Sequence, residues 1–124
     1  MVKGWRRRYI IFQIYSAKNL QFEKHDVLNV LFKTILKLFG EIGASLLNFN
    51  LIYHDSVKGR GIIRCNHDKV CWLRAAAAFI SDINGTPITF HILKVTGSIR
   101  RAKEILNSLP SSKVLGDEEA VPGV

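Results

Sequence analysis

Residues 5–15, WRRRYIIFQIY, constrain what this chain can fold into more than any other stretch. They turn from basic to β-branched and aromatic, and Ile10, Phe12 and Ile14 alternate with Tyr9, Ile11, Gln13 and Tyr15, so the strand they form has two apolar faces. Such a strand lies at the centre of its sheet, or something covers both of its sides. The chain has 124 residues, 48% of them hydrophobic, which suffices for one core and argues against a multi-domain enzyme.

Two segments supply apolar helices. Residues 26–42 have helical period, with Asp26, Asn29, Lys33, Lys37 and Glu41 forming one narrow polar stripe. Val27, Leu31, Leu38 and Ile42 are placed to face a sheet, while Leu28, Phe32, Ile35, Leu36 and Phe39 widen the apolar surface beyond what one sheet covers. Gly40 and Gly43 mark a fraying end. A second helix, capped by Asn66 or Asp68, runs through residue 83 with Val70, Leu73, Ala77 and Ile80 on one face and Trp72, Ala75, Ala76 and Phe79 on another. Further strands are predicted at 45–54, 61–66 and 87–95, with turns at 55–59 and at Asn84-Gly85. Gly97-Ser98 opens a last helix over 99–109, which Pro110-Ser111-Ser112 stops.

The resulting order is strand, helix, strand, strand, helix, strand, helix. That is an α+β plan, the split βαβ of ferredoxin-like and RNA-recognition-motif-like domains: a four-stranded antiparallel sheet with packed helices and a C-terminal helix. Residues 1–109 form the single domain, and 110–124 are predicted to be a disordered acidic tail. The plan hosts RNA binders, small-molecule regulators and metal carriers, so it does not settle function.

Charge narrows the choice. The formal net charge is +8, and the first 109 residues hold 17 of the 18 basic side chains against 7 of the 10 acidic ones. A folded unit this basic meets polyanions, nucleic acid first among them. Two cysteines are too few for a disulfide framework and read as reduced thiols. Arg6-Arg7-Arg8 before residues 9–17 imitates a secretory signal, but Gln13 interrupts the apolar run and Tyr15 is too large for the cleavage site. With no apolar run long enough to span a bilayer, a soluble, cytoplasmic protein without a membrane partner is expected.

Lys58-Gly59-Arg60-Gly61-Ile62-Ile63-Arg64-Cys65 resembles the RNA-recognition octapeptide in its basic residue and both glycines, but not in its aromatics. If Ile63 and Cys65 face the core, Arg60, Ile62 and Arg64 take the opposite face, where two guanidiniums would grip phosphates. The competing reading is a solvated strand face. Arg100, Arg101 and Lys103 crowd the first turns of the last helix, where cations oppose the helix dipole and an anion would relieve them; the competing reading is a capped surface helix. The RNA-facing set is therefore Arg6, Arg7, Arg8, Lys58, Arg60, Arg64, Arg100, Arg101 and Lys103.

Cys65, His67 and Cys71 lack a fourth ligand and fit no zinc pattern, so no metal site is expected. Asp26, Asp55, Asp68 and Asp82 are scattered among caps and turns, and no catalytic residues are expected either. Leu28, Phe32, Leu36, Phe39, Trp72 and Phe79 make an apolar excess, which the helices would cover in part among themselves. The remainder is read as a protein interface.

Arg6-Arg7-Arg8-Tyr9-Ile10-Ile11-Phe12, Leu38-Phe39-Gly40-Glu41-Ile42-Gly43-Ala44-Ser45, Gly61-Ile62-Ile63-Arg64-Cys65-Asn66-His67 and Val95-Thr96-Gly97-Ser98-Ile99-Arg100-Arg101-Ala102-Lys103 together resemble the ribonuclease P protein component 2 family. The likeness spans residues 6–109. It implies a non-catalytic protein subunit of a ribonucleoprotein endoribonuclease, in which RNA and Mg²⁺ cleave the 5′ leader from precursor tRNA. It further implies ribonuclease P RNA and the TIM-barrel-like protein component 3 as partners, with two such pairs joining into a heterotetramer, and no cofactor bound by this chain. The alternatives are a free-standing ferredoxin-like RNA-binding module and a ligand-binding regulatory domain of the same fold.

Overall fold

The computed structural model describes residues 6–17 and 21–109. The tail expected to be disordered lies outside the described residues. The elements are β1 (Arg7–Tyr15), α1 (Lys24–Leu47), β2 (Asn50–Asp55), β3 (Arg60–Asn66), α2 (Val70–Phe79), a short hairpin of β4 (Asp82–Ile83) and β5 (Thr86–Pro87), β6 (Thr89–Thr96) and α3 (Ile99–Ser108). The four long strands form one antiparallel sheet in the order β2-β3-β1-β6, the topology expected of the split βαβ plan. None of the described helices is long and apolar enough to cross a membrane.

The two-faced strand β1 is central and covered on both sides. Ile10, Phe12 and Ile14 join Val27, Leu31, Ile35, Ile63, Cys65, Leu73 and Phe90 in the larger core under α1 and α2. On the other face Ile11 and Ile62 pack with Ala102 and Leu106 of α3, flanked by Tyr9, Ile52, Leu93, Ile99, Ile105 and Leu109. Two glycines of the octapeptide serve this packing. Gly59 takes a left-handed φ of 71° in the β2–β3 turn, and a Cβ on Gly61 would strike the Tyr53 carbonyl and the ring of Phe12, 2.8 Å away.

The helical layer departs from the sequence reading at Gly40. α1 does not fray there but continues to Leu47 across a break at Gly40, with φ 74° and ψ −177°. The break acts as an inserted residue. Val27, Leu31 and Ile35 face the sheet before it, and Gly43 and Leu47 face inward after it, so Ile42, expected inside, is 78% exposed. Ile35, expected on the widened outer surface, is fully buried. β2 consequently starts at Asn50 rather than near residue 45. α2 is also shorter than expected, because Asn84-Gly85 turns a separate hairpin, with Asn84 at φ 52° and Gly85 at φ 83°. That hairpin is tied to α1. Asp26 closes a capping box with Glu23, and hydrogen bonds from the Asn84 side chain and the Glu23 backbone hold its carboxyl below the ordinary carboxylate value.

Candidate nucleic-acid interface

Antiparallel register brings most of the expected RNA-facing residues to one end of the sheet. Tyr9 of β1 lies between Arg64 of β3 and Thr96 of β6, and Arg7 pairs with Asn66. The chain leaves β6 at Thr96, and Gly97-Ser98 turn it into α3 at the same end. The Arg8 guanidinium stands over that turn, 3.4 Å from where a Cβ on Gly97 would lie, so glycine leaves room for it. Ser98 caps the helix as the sequence predicts, its hydroxyl accepting from the Arg101 amide at 3.0 Å. Ala102 and Leu106 turn to the sheet, leaving Arg100, Arg101 and Lys103 exposed.

This end is both cationic and under-bonded. Arg101 reaches Glu104 at 3.5 Å, whereas among the described residues Arg6, Arg7, Arg8, Arg64, Arg100 and Lys103 have no carboxylate within 4.0 Å. Buried Nε atoms of Arg7 and Arg64, Oδ1 of Asn66 and Nδ1 of His67 have no hydrogen-bond partner among the described residues. The two buried guanidinium N–H donors among them gain from an added acceptor. Phosphate oxygens are acceptors that guanidinium groups bind well.

Two members of the expected set lie elsewhere. Lys58 is exposed in the β2–β3 turn at the opposite end of β3, beyond Arg60, which is itself roughly 13 Å along the strand from Arg64 at the usual rise. Arg60 is on the face that period two assigns, but α3 covers that face and leaves it 3% exposed. Its Nε donates to Gln13 Oε1 at 3.1 Å, and one terminal nitrogen donates to the Leu109 carbonyl at 3.4 Å. It is an interior residue and presents no open cation to RNA. The sequence marks the face but not its cover, because α3's apolar stripe says that it packs without saying where.

The apolar set divides as well. Phe39 and Trp72 stack at 4.9 Å across the α1–α2 crossing, with the Lys69 ammonium 4.7 Å from the Trp72 ring, so this pair partly satisfies itself. A Cβ on Gly43 would collide with the Cβ of Phe39 one turn earlier in the same helix, and would stand in ordinary contact with the Trp72 ring at 3.5 Å. Leu28, Phe32 and Phe79 stay exposed, Phe32 by 48% and Phe79 by 67%, and half-buried Leu36 lines a groove with Phe32, Ala44 and Phe49. Ile42 and Leu46, which the break at Gly40 turns outward, extend the exposed apolar surface. Cys65 is buried and Cys71 exposed, and no group of three or more His, Cys, Asp or Glu side chains among the described residues is placed to hold a metal ion.

The model of the Rpp14/Pop5 family matches residues 8–107, from the start of the central strand almost to the end of α3. The chain belongs to that family. Among curated relatives, ribonuclease P protein component 2 of Pyrococcus horikoshii is 35% identical over 98 residues, covering 79% of this chain and 80% of the relative. The component 2 of Methanocaldococcus jannaschii is 34% identical over 98 residues, covering 79% of this chain and 70% of the relative. A chain in the cryo-EM structure of yeast ribonuclease MRP superposes with a TM-score of 0.65 over 86% of this chain and 93% of that one; at 14% identity the likeness is one of fold. Within this Rpp14/Pop5 domain the matched span takes in Arg8, Arg64 and the three cations of α3, and leaves Arg6 and Arg7 just outside.

Proposed function

We propose that this chain is a non-catalytic protein subunit of the ribonuclease P ribonucleoprotein and that the cationic end of its sheet binds the RNA. The single observation that carries the RNA assignment is the convergence of Arg6, Arg7, Arg8, Arg64, Arg100, Arg101 and Lys103 from three elements onto one end. Family membership and relatives named ribonuclease P protein component 2 support the assembly.

In this reading RNA carries out cleavage of the precursor tRNA 5′ leader with its own Mg²⁺, and the chain binds no cofactor. Its cations displace counterions along the RNA, and so lower the Mg²⁺ that the folded RNA requires. Ile62 of the octapeptide is buried against α3, and the ring positions hold Arg60, Ile62 and Cys65. The contact therefore follows backbone and shape rather than stacked, single-stranded bases. The exposed apolar surface of α1 and α2 around Phe32 and Phe79 meets protein component 3, with pairs joining into a heterotetramer in the cytoplasm.

Reconstitution tests the assignment. Precursor tRNA cleavage by ribonuclease P RNA at low Mg²⁺ is measured with component 3, with and without this chain. Rescue that requires both proteins is the expected result. Absence of rescue with folded proteins refutes the subunit reading and leaves a free-standing basic RNA-binding module.

A further inference from the structure

We infer that Arg60 is a positioning residue for the RNA-binding end: with Gln13 it latches the C-terminus of α3 to the sheet, and so fixes where the cations of the helix N-terminus stand. The inference rests on the RNA reading above. It converts a residue that the sequence places among the phosphate contacts into one that acts through Arg100, Arg101 and Lys103.

The latch joins three elements in the interior. Gln13, in the central strand and 2% exposed, donates from Nε2 to the carbonyls of Lys58 at 2.6 Å and Gly59 at 3.3 Å. Its Oε1 accepts from Arg60 Nε, and the Arg60 guanidinium reaches on to the Leu109 carbonyl just past α3. A guanidinium stays charged at any ordinary pH, and burying it costs free energy unless acceptors surround it. The negative end of a helix dipole is a favourable place for it.

The helix needs that cation. α3 spans 10 residues, below the length at which an isolated helix is stable in water. It has no acidic residue in its first turn and no basic residue in its last, the reverse of the arrangement that helix dipoles favour. Its N-terminal cations serve a ligand at the helix's expense, and Arg60 supplies from β3 the C-terminal cation that the helix lacks. A rigid α3 of this length converts a displacement at Leu109 into a displacement of Arg100, Arg101 and Lys103 at the other end.

The test compares Arg60→Met and Arg60→Lys with the unchanged chain in binding to transcribed ribonuclease P RNA across a salt series, and in amide hydrogen exchange without RNA. Arg60→Met should raise exchange in α3 on the order of tenfold while the β1 and β3 amides hold, since local opening is read segment by segment. It should weaken RNA binding on the order of tenfold, and flatten the salt slope by more than the roughly 0.9 per contact that one lost phosphate partner explains. In a chain already carrying Arg100→Ala, Arg101→Ala and Lys103→Ala it should add nothing, because the effects share one route. Arg60→Lys keeps the charge without the fork and should fall between; it also serves if Arg60→Met fails to fold. A slope change of about one contact, additive with the triple variant, would show that Arg60 touches phosphate itself and overturn the latch. Unchanged α3 exchange overturns it as well, whatever the RNA does. If the unchanged chain shows no salt-dependent binding, the RNA reading fails separately, and exchange in α3 still decides the latch.

Discussion

Five residues separate the two cysteines, and the fold gives them different chemistry. Cys65 sits on the inner face of β3 in the larger core, and burial, aided by the nearby Asp68 charge, pushes its thiol up to about 11. Cys71 is exposed in the first turn of α2. The thiolate is the reacting species, so iodoacetamide at pH 8 should label Cys71 in the folded protein and spare Cys65 until denaturant is added. Peptide mapping by mass spectrometry checks this, and equal labelling of both would contradict the packing of β3. The sequence places Cys65, His67 and Cys71 close together and leaves them one ligand short. The alternation of a strand and the turn after it then separate the thiols further, since nearness along the chain carries no information about which way a side chain leaves it.

At the scale of elements, the break in α1 decides which apolar residues are core. A continuous helix would carry the stripe from Leu38 to Ile42, whereas the left-handed Gly40 advances it by one residue, to Gly43 and Leu47. Ile35→Ala should therefore destabilise by about 3 kcal/mol, as buried truncations do, and Ile42→Ala by less than about 0.5 kcal/mol. Urea unfolding with unchanged m values reads both. Similar losses at the two positions would mean that the helix runs straight through Gly40. The order of elements was legible because alternation in residues 9–15, the polar stripe of α1 and the Asn84-Gly85 turn are local signals. The phase slip was not, because a glycine inside a helical pattern reads equally as an end or as a kink, and the φ of 74° at Gly40 with helix continuing to Leu47 is visible only in the structure. For the same reason Arg60 and Arg64, on one strand and one face, have different fates: the cover over Arg60 comes from a helix about 40 residues later in the chain.

Across the whole molecule, the net charge of +8 says that a polyanion is met but not where. The register of β1 with β3 and β6 supplies the place, because it puts Arg7, Arg8, Arg64 and the start of α3 at one end and Lys58 at the other. The apolar surface left by Phe32 and Phe79 belongs to the helical layer, α1 and α2, rather than to α3, so an RNA and a protein partner can be held at once. An RNA gripped at the α3 end should be insensitive to the far turn. Replacing Arg64, Arg100 and Arg101 together by Ala should therefore flatten the salt dependence of RNA binding by nearly three units, about 0.9 for each contact, while Lys58→Ala leaves the slope within error. Lys58, Arg100 and Arg101 are exposed and their truncation costs the fold little, while Arg64 is half-buried, so urea unfolding of its variant separates lost contacts from lost stability. If Lys58→Ala instead lowers the slope by as much as Arg64→Ala alone, the RNA runs the full length of β3, and α3 lies beneath it as a platform rather than beside it as one wall.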